Sequence, residues 1–221
     1  MPGSANGNSR SSAGQRKRGY LQYVALTGIM VYALGSVACG GMRPAQYYLL
    51  EVPPPPATIG TMQGVSLEVA SITAPAMLRD DRILYLTGKS RVGTYEYHRW
   101  EENPPQMLQQ LLVHLLRSEG EYQSVEAERS ASQAEYRLHG ELHEFEEVDS
   151  PQSIVTRVRM DFHLESTKTG KMVWMYQFSN DEPVRGKTVQ DVVDSMNRNV
   201  QKGMLQIAAG LSAYFTSRRH S

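Results

Sequence analysis

Ile154-Val155-Thr156-Arg157-Val158-Arg159-Met160-Asp161-Phe162-His163-Leu164-Glu165 alternates along its whole length. Ile154, Thr156, Val158, Met160, Phe162 and Leu164 share one face, and Arg157, Arg159, Asp161, His163 and Glu165 take the other. That period of two predicts a long strand with one side on a core and one side in water. Thr167-Lys168-Thr169-Gly170 follows as a tight hairpin turn. Met172 to Phe178 then returns with Trp174, Tyr176 and Phe178 alternating. Upstream, Ala134 to Val148 is a second long strand with Tyr136, Leu138, Gly140 and Leu142 on one face. A short strand at Tyr122 to Val125 precedes it, so the second half of the chain reads as a meander.

Helical periodicity brackets this sheet. Val189, Val192, Val193, Met196, Val200, Met204, Ile207, Ala208 and Leu211 hold a stripe of period near 3.6, which predicts a helix from about Val189 to Phe215. Glycines at 203 and 210 weaken it without breaking it. Asn103-Pro104-Pro105 opens an earlier helix with Met107, Leu108, Leu111, Leu112 and Leu115 on its apolar side, and Gly120 stops it. Before it, Gln46 to Val52 has strand composition, and Val65 to Ile72 alternates as a strand with one buried face and ends before Pro75. Ile83 to Leu86 and Gly93 to His98 flank a Gly88–Arg91 turn. Pro53 to Pro56 make a stiff, extended connector that cannot enter a sheet interior. The expected fold class is therefore α+β: a largely antiparallel sheet with two amphipathic helices packed on one face.

The N-terminal region is of a different kind. Met1 to Gln15 is rich in Gly, Ser and Asn and reads as a disordered leader. Arg16, Lys17 and Arg18 form a positive n-region, and Leu21 to Leu34 supply an apolar segment of signal-peptide length, short for a transmembrane helix. It ends in Gly35-Ser36-Val37-Ala38-Cys39-Gly40-Gly41, where Cys39 is the only cysteine of the chain. Small residues before a lone cysteine resemble a bacterial lipobox, at which the thiol receives a diacylglyceryl group and becomes the mature N-terminus. Ala38 and Val37 fit that pattern, while Ser36 stands where Leu is usual. An ordinary signal cut near Ala38, an uncleaved anchor and a plain buried thiol are the competing readings.

Composition narrows the function. The whole chain balances 23 basic against 23 acidic residues, and loss of residues 1–38 would leave 183 residues with 19 basic against 23 acidic. A mildly acidic, dispersed charge argues against nucleic-acid binding. No second apolar run has the length of a span, and no cysteine pair exists for a disulfide. No Gly-rich phosphate loop, nucleophile elbow or Ser/His/Asp arrangement stands out, so no catalytic residue and no metal ligand is assigned. His139 and His143 lie four apart on a strand, and Glu141, Glu144, Glu146, Glu147 and Asp149 form an acidic run. Both read as solvated strand surface more readily than as a zinc or calcium site. Trp100, with Tyr95 and Tyr97, is the candidate exposed interaction patch, against the alternative that Trp100 buries itself in the core.

Taken in order, several pieces carry a family resemblance. They are the lipobox-like Cys39, Tyr47-Tyr48-Leu49-Leu50 with its prolines, Val65-Ser66-Leu67-Glu68-Val69, and Leu78-Arg79-Asp80-Asp81-Arg82-Ile83-Leu84-Tyr85. Tyr97-His98-Arg99-Trp100-Glu101-Glu102 before the Leu-rich helix and Tyr136-Arg137-Leu138-His139-Gly140-Glu141-Leu142 complete the series. The chain resembles the ABC-type transport auxiliary lipoproteins, the PqiC-like group, over nearly all of residues 45 to 215. One departure is the absence of a proline after Asp81-Arg82.

The resemblance implies a non-enzymatic periplasmic lipoprotein of an ABC/Mce-type transport system that moves phospholipid between the two membranes. Implied partners are an Mce-domain protein, an ABC permease and ATPase, the membrane through the covalent lipid at Cys39, and room for a homo-oligomer. The lipid would be the sole cofactor-like group. Gly40, not Asp, after the cysteine favours an outer-membrane address under the enterobacterial sorting rule, with the inner membrane left open. The domain reading is a signal segment over 1–38, then lipidated Cys, tether, first strand and Pro-rich connector over 39–64. The rest of the domain follows over 65–216, for an overall domain of 45–216. A structural or assembly lipoprotein of the envelope is the alternative, and a small hydrolase using His139 or His143 is a third.

Overall fold

A computed structural model describes residues 43–51, 64–88, 90–128 and 133–219. Cys39, the apolar segment before it and the four prolines lie outside the described residues. Residues 44–221 form one compact unit. Its elements are β1 (Gln46–Tyr48), β2 (Ser66–Val69), a 3₁₀ turn (Ala76–Arg79), β3 (Arg82–Thr87), β4 (Arg91–Trp100) and α1 (Pro104–Glu119). Then come β5 (Ser124–Ala127), β6 (Tyr136–Asp149), β7 (Ile154–Ser166), β8 (Lys171–Pro183) and α2 (Val189–Arg219). The class is α+β, with a mixed, mostly antiparallel sheet.

β7 is the spine. It pairs antiparallel with β6 on one side and with β8 on the other, from Val155–Pro183 to Ser166–Lys171. Within the inward face expected from the alternation, Thr156, Val158, Met160, Phe162 and Leu164 are each no more than 1 % exposed, while Ile154, at the start of the strand, is only half-buried. In β6 the inward series Leu138, Gly140 and Leu142 is followed by a register shift between Leu142 and Glu144. A bulge of one residue moves the core side from even to odd positions, which turns Phe145 and Glu147 inward.

The other edge of β6 does something the alternation could not predict. β2 pairs parallel with its beginning, Leu67 to Tyr136 through Val69 to Leu138, and β3 pairs parallel with its end, Tyr85 to Glu147 through Thr87 to Asp149. β1 on β4 and β5 on β2 are parallel as well. These four contacts are short; the long ladders are antiparallel. The first strand, although it precedes the Pro-rich connector, thus belongs to the sheet that follows it.

β2 is a correction. An alternating strand with one wet face was expected over Val65 to Ile72, yet Leu67, Glu68, Val69 and Ala70 are all buried. β2 lies between β5 and β6, and side chains cover both its faces: Gln109 of α1 donates to the Val69 carbonyl at 3.0 Å, and Arg137 of β6 donates to Glu68 at 3.1 Å. A short central strand is enclosed whichever way its side chains point.

α1 begins and ends as its sequence specifies, and α2 begins on a reciprocal cap. The Asn103 side chain accepts from the Gln106 N–H at 3.1 Å, prolines fill the first turn, and Gly120 closes α1 in a left-handed conformation, φ 65°. Thr188 and Asp191 cap α2 reciprocally: the Asp191 carboxylate accepts from Thr188 N at 2.9 Å, and the Thr188 hydroxyl accepts from Asp191 N at 3.2 Å. α2 packs on β7 and β8. At Gly203 an added Cβ would sit 2.9 Å from the Phe178 ring, and at Gly210 it would sit 2.9 Å from Trp174. The two glycines that weaken the helix let it lie close to the sheet. Buried polar groups tie the same interface: the Thr156 and Ser195 hydroxyls are 2.9 Å apart, and the Asn199 amide donates to the Thr156 carbonyl at 2.7 Å. The buried sides of α1 and α2 share a single hydrophobic cluster with the sheet.

Candidate docking surface

The segment that follows the candidate lipidation site enters the sheet at its margin. β1 contributes only three residues, each paired with β4: Gln46 with His98, Tyr47 with Arg99 and Tyr48 with Trp100. β4 itself is irregular. Arg82 pairs with Arg99 but Leu84 pairs with Thr94, so β4 carries extra residues between the two points. That bulge breaks the alternation and lets Tyr95 and His98 meet on one side.

The result is a ladder of rings. Tyr85 and Tyr95 lie 5.3 Å apart, Tyr95 and His98 6.0 Å, and His98 and Tyr48 5.7 Å between centroids. Its polar tips are used internally. The Tyr48 hydroxyl shares a 2.8 Å hydrogen bond with His98 Nδ1, and the Tyr95 hydroxyl donates to Glu147 Oε2 at 2.6 Å. Burial, then the Glu147 carboxylate, pushes the Tyr95 phenol far above its ordinary range. Burial raises Glu147 too, while the hydrogen bond from Tyr95 pulls it back down. Tyr95 therefore serves as a fixed strut.

Trp100 is a second correction. It closes β4 at 1 % exposure, with its ring edge-on to Phe145 at 5.6 Å. Residue 100 takes the inward side of the strand's last turn before α1, so it belongs to the core and forms no exposed patch with Tyr95 and Tyr97. Tyr97 alone of the three stays open, at 37 %.

The exposed apolar groups of this margin are instead Tyr47 (62 %) and Leu49 (54 %), with Tyr97 on the neighbouring strand. Leu49 also borders a cleft of about 390 Å³ between the end of β1 and α1, lined further by Glu101, Glu102, Leu111 and His114. Just beyond Leu50, the Glu51 N–H donates to Asn197 of α2 at 2.8 Å. Sequence reasoning missed Tyr47 and Leu49. Their signal was an apolar pair in and just past a strand too short to be covered, and it could not be separated from ordinary strand composition.

The histidines and acids singled out by sequence lie on the outward side of β6 and β7. His139 stacks on His163 at 4.7 Å with the planes 11° apart, and its Nε2 stands 3.5 Å from the Glu165 carboxylate. Burial, then His163, lowers the His139 pKa. His143 faces Asp161 at 3.1 Å. The acidic run is divided by the strand: Glu144 pairs with Arg159 at 2.6 Å, Glu147 turns inward to Tyr95, and burial raises Glu146. Asp181 of β8 binds Arg157 at 2.8 Å and is held below the usual carboxylate range by that bond. These groups neutralise one another across a ladder. Among the described residues no three His, Cys, Asp or Glu side chains converge as a metal site.

Comparison with known proteins adds the following. The model of the family described as ABC-type transport auxiliary lipoprotein component matches residues 47–208. The crystal structure of protein XCC0632 from Xanthomonas campestris is 14 % identical, with a TM-score of 0.72 over 80 % of this chain and 100 % of that one. The crystal structure of an uncharacterized protein is 16 % identical, with a TM-score of 0.61 over 76 % of this chain and 99 % of that one. At such identities the likeness shows the fold alone. No curated protein matches the chain in sequence.

Proposed function

The chain belongs to the ABC-type transport auxiliary lipoprotein component family, and on that premise we propose that it is a periplasm-facing lipoprotein that helps an ABC/Mce-type system move phospholipid between the membranes. Its acyl chains at Cys39 anchor it, and its β1–β4 margin docks the machinery. Two or three chains on one cysteine exceed the single acyl group that gives only marginal binding. No helix among the described residues is long and apolar enough to cross a membrane. Gly40 favours the outer membrane as the address.

The observation that carries the docking role is the exposed pair Tyr47 and Leu49 beside Tyr97. Gln46 comes seven positions after Cys39, and an extended chain of that length spans at most about 25 Å. A partner seated on this margin would therefore meet the lipoprotein close to its anchor. With both helices on one side of the sheet, the ladder of charges on β6 and β7 would face away from the core as a solvated surface. The partners are the Mce-domain protein and the permease and ATPase of the same system, and a homo-oligomer is compatible with the arrangement.

Two outcomes test this reading. Labelled palmitate should enter the wild-type protein and be lost in Cys39→Ala; label that persists in the variant would remove the anchor. Replacing Tyr47 and Leu49 together by Asp should cut recovery of the permease or Mce protein in pull-downs by roughly tenfold or more, with the melting temperature unchanged. Undiminished recovery would place docking elsewhere. Genes for an ATPase, a permease and an Mce protein beside this one distinguish transport from a purely structural envelope role.

A further inference from the structure

β8 forms the margin of the sheet opposite β1, and it is a different kind of edge. β1 and β5, the other marginal strands, have three and four residues. β8 has 13 and pairs with β7 alone among the described strands. Short strands blunt an edge against pairing with another chain; a long one leaves a template open.

The backbone groups on that template follow from the register. At the end of the ladder the Val184 N–H donates to the Ile154 carbonyl at 3.0 Å, and the same register continues unbroken to Leu164–Trp174. Antiparallel pairs alternate between bonded and open, so the even-numbered residues of β8 spend their backbone on β7. The N–H and C=O of Met175, Gln177, Ser179 and Asp181 therefore turn to the free edge. Pro183, next in that series, has no N–H and closes the template at one end. The irregularity that pairs Leu164 with Trp174 but Glu165 with Met172 closes it at the other. Beside this edge stand two large apolar groups in water, Met172 at 58 % and Met175 at 60 % exposure.

We infer that β8 pairs antiparallel with β8 of a second copy of this chain, about a two-fold axis at Tyr176, to make one continuous sheet. The strand is polar along its length, with Lys171 at its start and Asp181 and Glu182 near its end. An antiparallel copy sets the basic end of each strand beside the acidic end of the other; a parallel copy would set like charges together. Asp181 already binds Arg157 at 2.8 Å, yet its side chain remains 38 % exposed and open to Lys171 of the second copy. With the axis at Tyr176, Met175 faces Gln177 of the second copy, and both residues are among those whose backbone turns outward. The two Met175 side chains become diagonal neighbours across the axis and cover one another. On the helix side, Tyr176 meets its own counterpart, and Trp174, stacked on Tyr176 at 5.9 Å, meets Phe178. The inference stands on β8 and is independent of Cys39 and of the β1–β4 margin.

The test uses the full-length protein in detergent. Met175→Cys in a Cys39→Ala background carries the one thiol of the chain. A bismaleimide spanning about 8 Å, the reach of diagonal neighbours, should join it into a dimer. Val92→Cys in the same background, at a position 49 % exposed on β4, should stay unjoined. Adding Gln177→Pro should cut the joined fraction at least about fivefold, with near-ultraviolet circular dichroism unchanged, because the lost N–H faces the free edge and the β7 ladder keeps its bonds. Met175→Lys breaks the contact without touching the backbone, by setting two ammoniums side by side, and should sediment as a monomer. In the wild type, exchange of the Gln177 amide should slow at least about tenfold from dilute to concentrated protein. Equal joining at 175 and 92, joining undiminished by Gln177→Pro, or a Met175→Lys protein that stays dimeric would each overturn the interface. So would a Gln177 amide that exchanges at one rate at every concentration and slows only when the Mce protein or the permease is added, since the edge would then belong to that partner.

Discussion

Trp100→Ala is expected to lower the unfolding free energy by about 3–5 kcal/mol, seen as a fall in the urea midpoint at unchanged m-value. The indole is 1 % exposed and is among the largest fully buried side chains of the described residues. It meets Phe145 edge-on at 5.6 Å, and Phe145 is in the core only because the β6 bulge has turned it inward. The Trp100 N–H also donates to the Asp81 carbonyl at 2.7 Å. That bond fixes the end of β4, three residues before the Asn103 cap of α1. Removing the ring would open a cavity where strand, bulge and helix start converge. With total stability of about 5–15 kcal/mol in a domain of this size, the variant would be near the limit of folding. A loss below about 1 kcal/mol would mean that the ring is a surface group after all. The Tyr47→Asp/Leu49→Asp variant should leave stability unchanged, which separates core from docking surface within one margin of the sheet.

The parts legible in the sequence were those governed by local rules. β6, β7 and β8 announced themselves by alternation, because each is long and pairs with its neighbour in the chain. Asn103, the two prolines and Gly120 marked α1 for the same reason: a cap is satisfied by residues three or four positions away. Both β8 and α2 run beyond the expected ends, to Pro183 and Arg219, since the alternation and the stripe continue in residues too polar to count as core. The parallel pairings were not legible. β2 and β3 share one edge of β6, a choice made by packing of segments about 60 to 70 residues apart in sequence.

The candidate site was legible only in part, and for a related reason. Tyr-x-Tyr followed by His-Arg-Trp in a strand reads as aromatic surface. Which ring is outside depends on the β4 bulge, and the bulge is set by pairing with β3. Tyr95 and Trp100 were drawn inward by Glu147 and Phe145, residues that share no sequence neighbourhood with them.

Glu68 shows how far such a distant partner matters. It sits in β2 at 0 % exposure, directly opposite Arg137 in the parallel register, and its carboxylate receives the Arg137 Nε at 3.1 Å. Arg137→Met is expected to cost about 3 kcal/mol, because the carboxylate keeps its place between β5 and β6 with its cation gone. Glu68→Met should cost clearly less, since the Arg137 side chain is 37 % exposed and its head can turn to water. The double variant should recover to within about 1 kcal/mol of the wild type, an apolar pair of similar volume replacing a buried ion pair. Urea unfolding of the four proteins at neutral pH completes the cycle. Additive losses would show that the pair does not act as a unit. A Glu68→Met loss larger than that of Arg137→Met would reverse the roles, making the arginine the member that depends on its partner. The expected asymmetry follows from burial alone: the charge that cannot reach water is the one that needs the other.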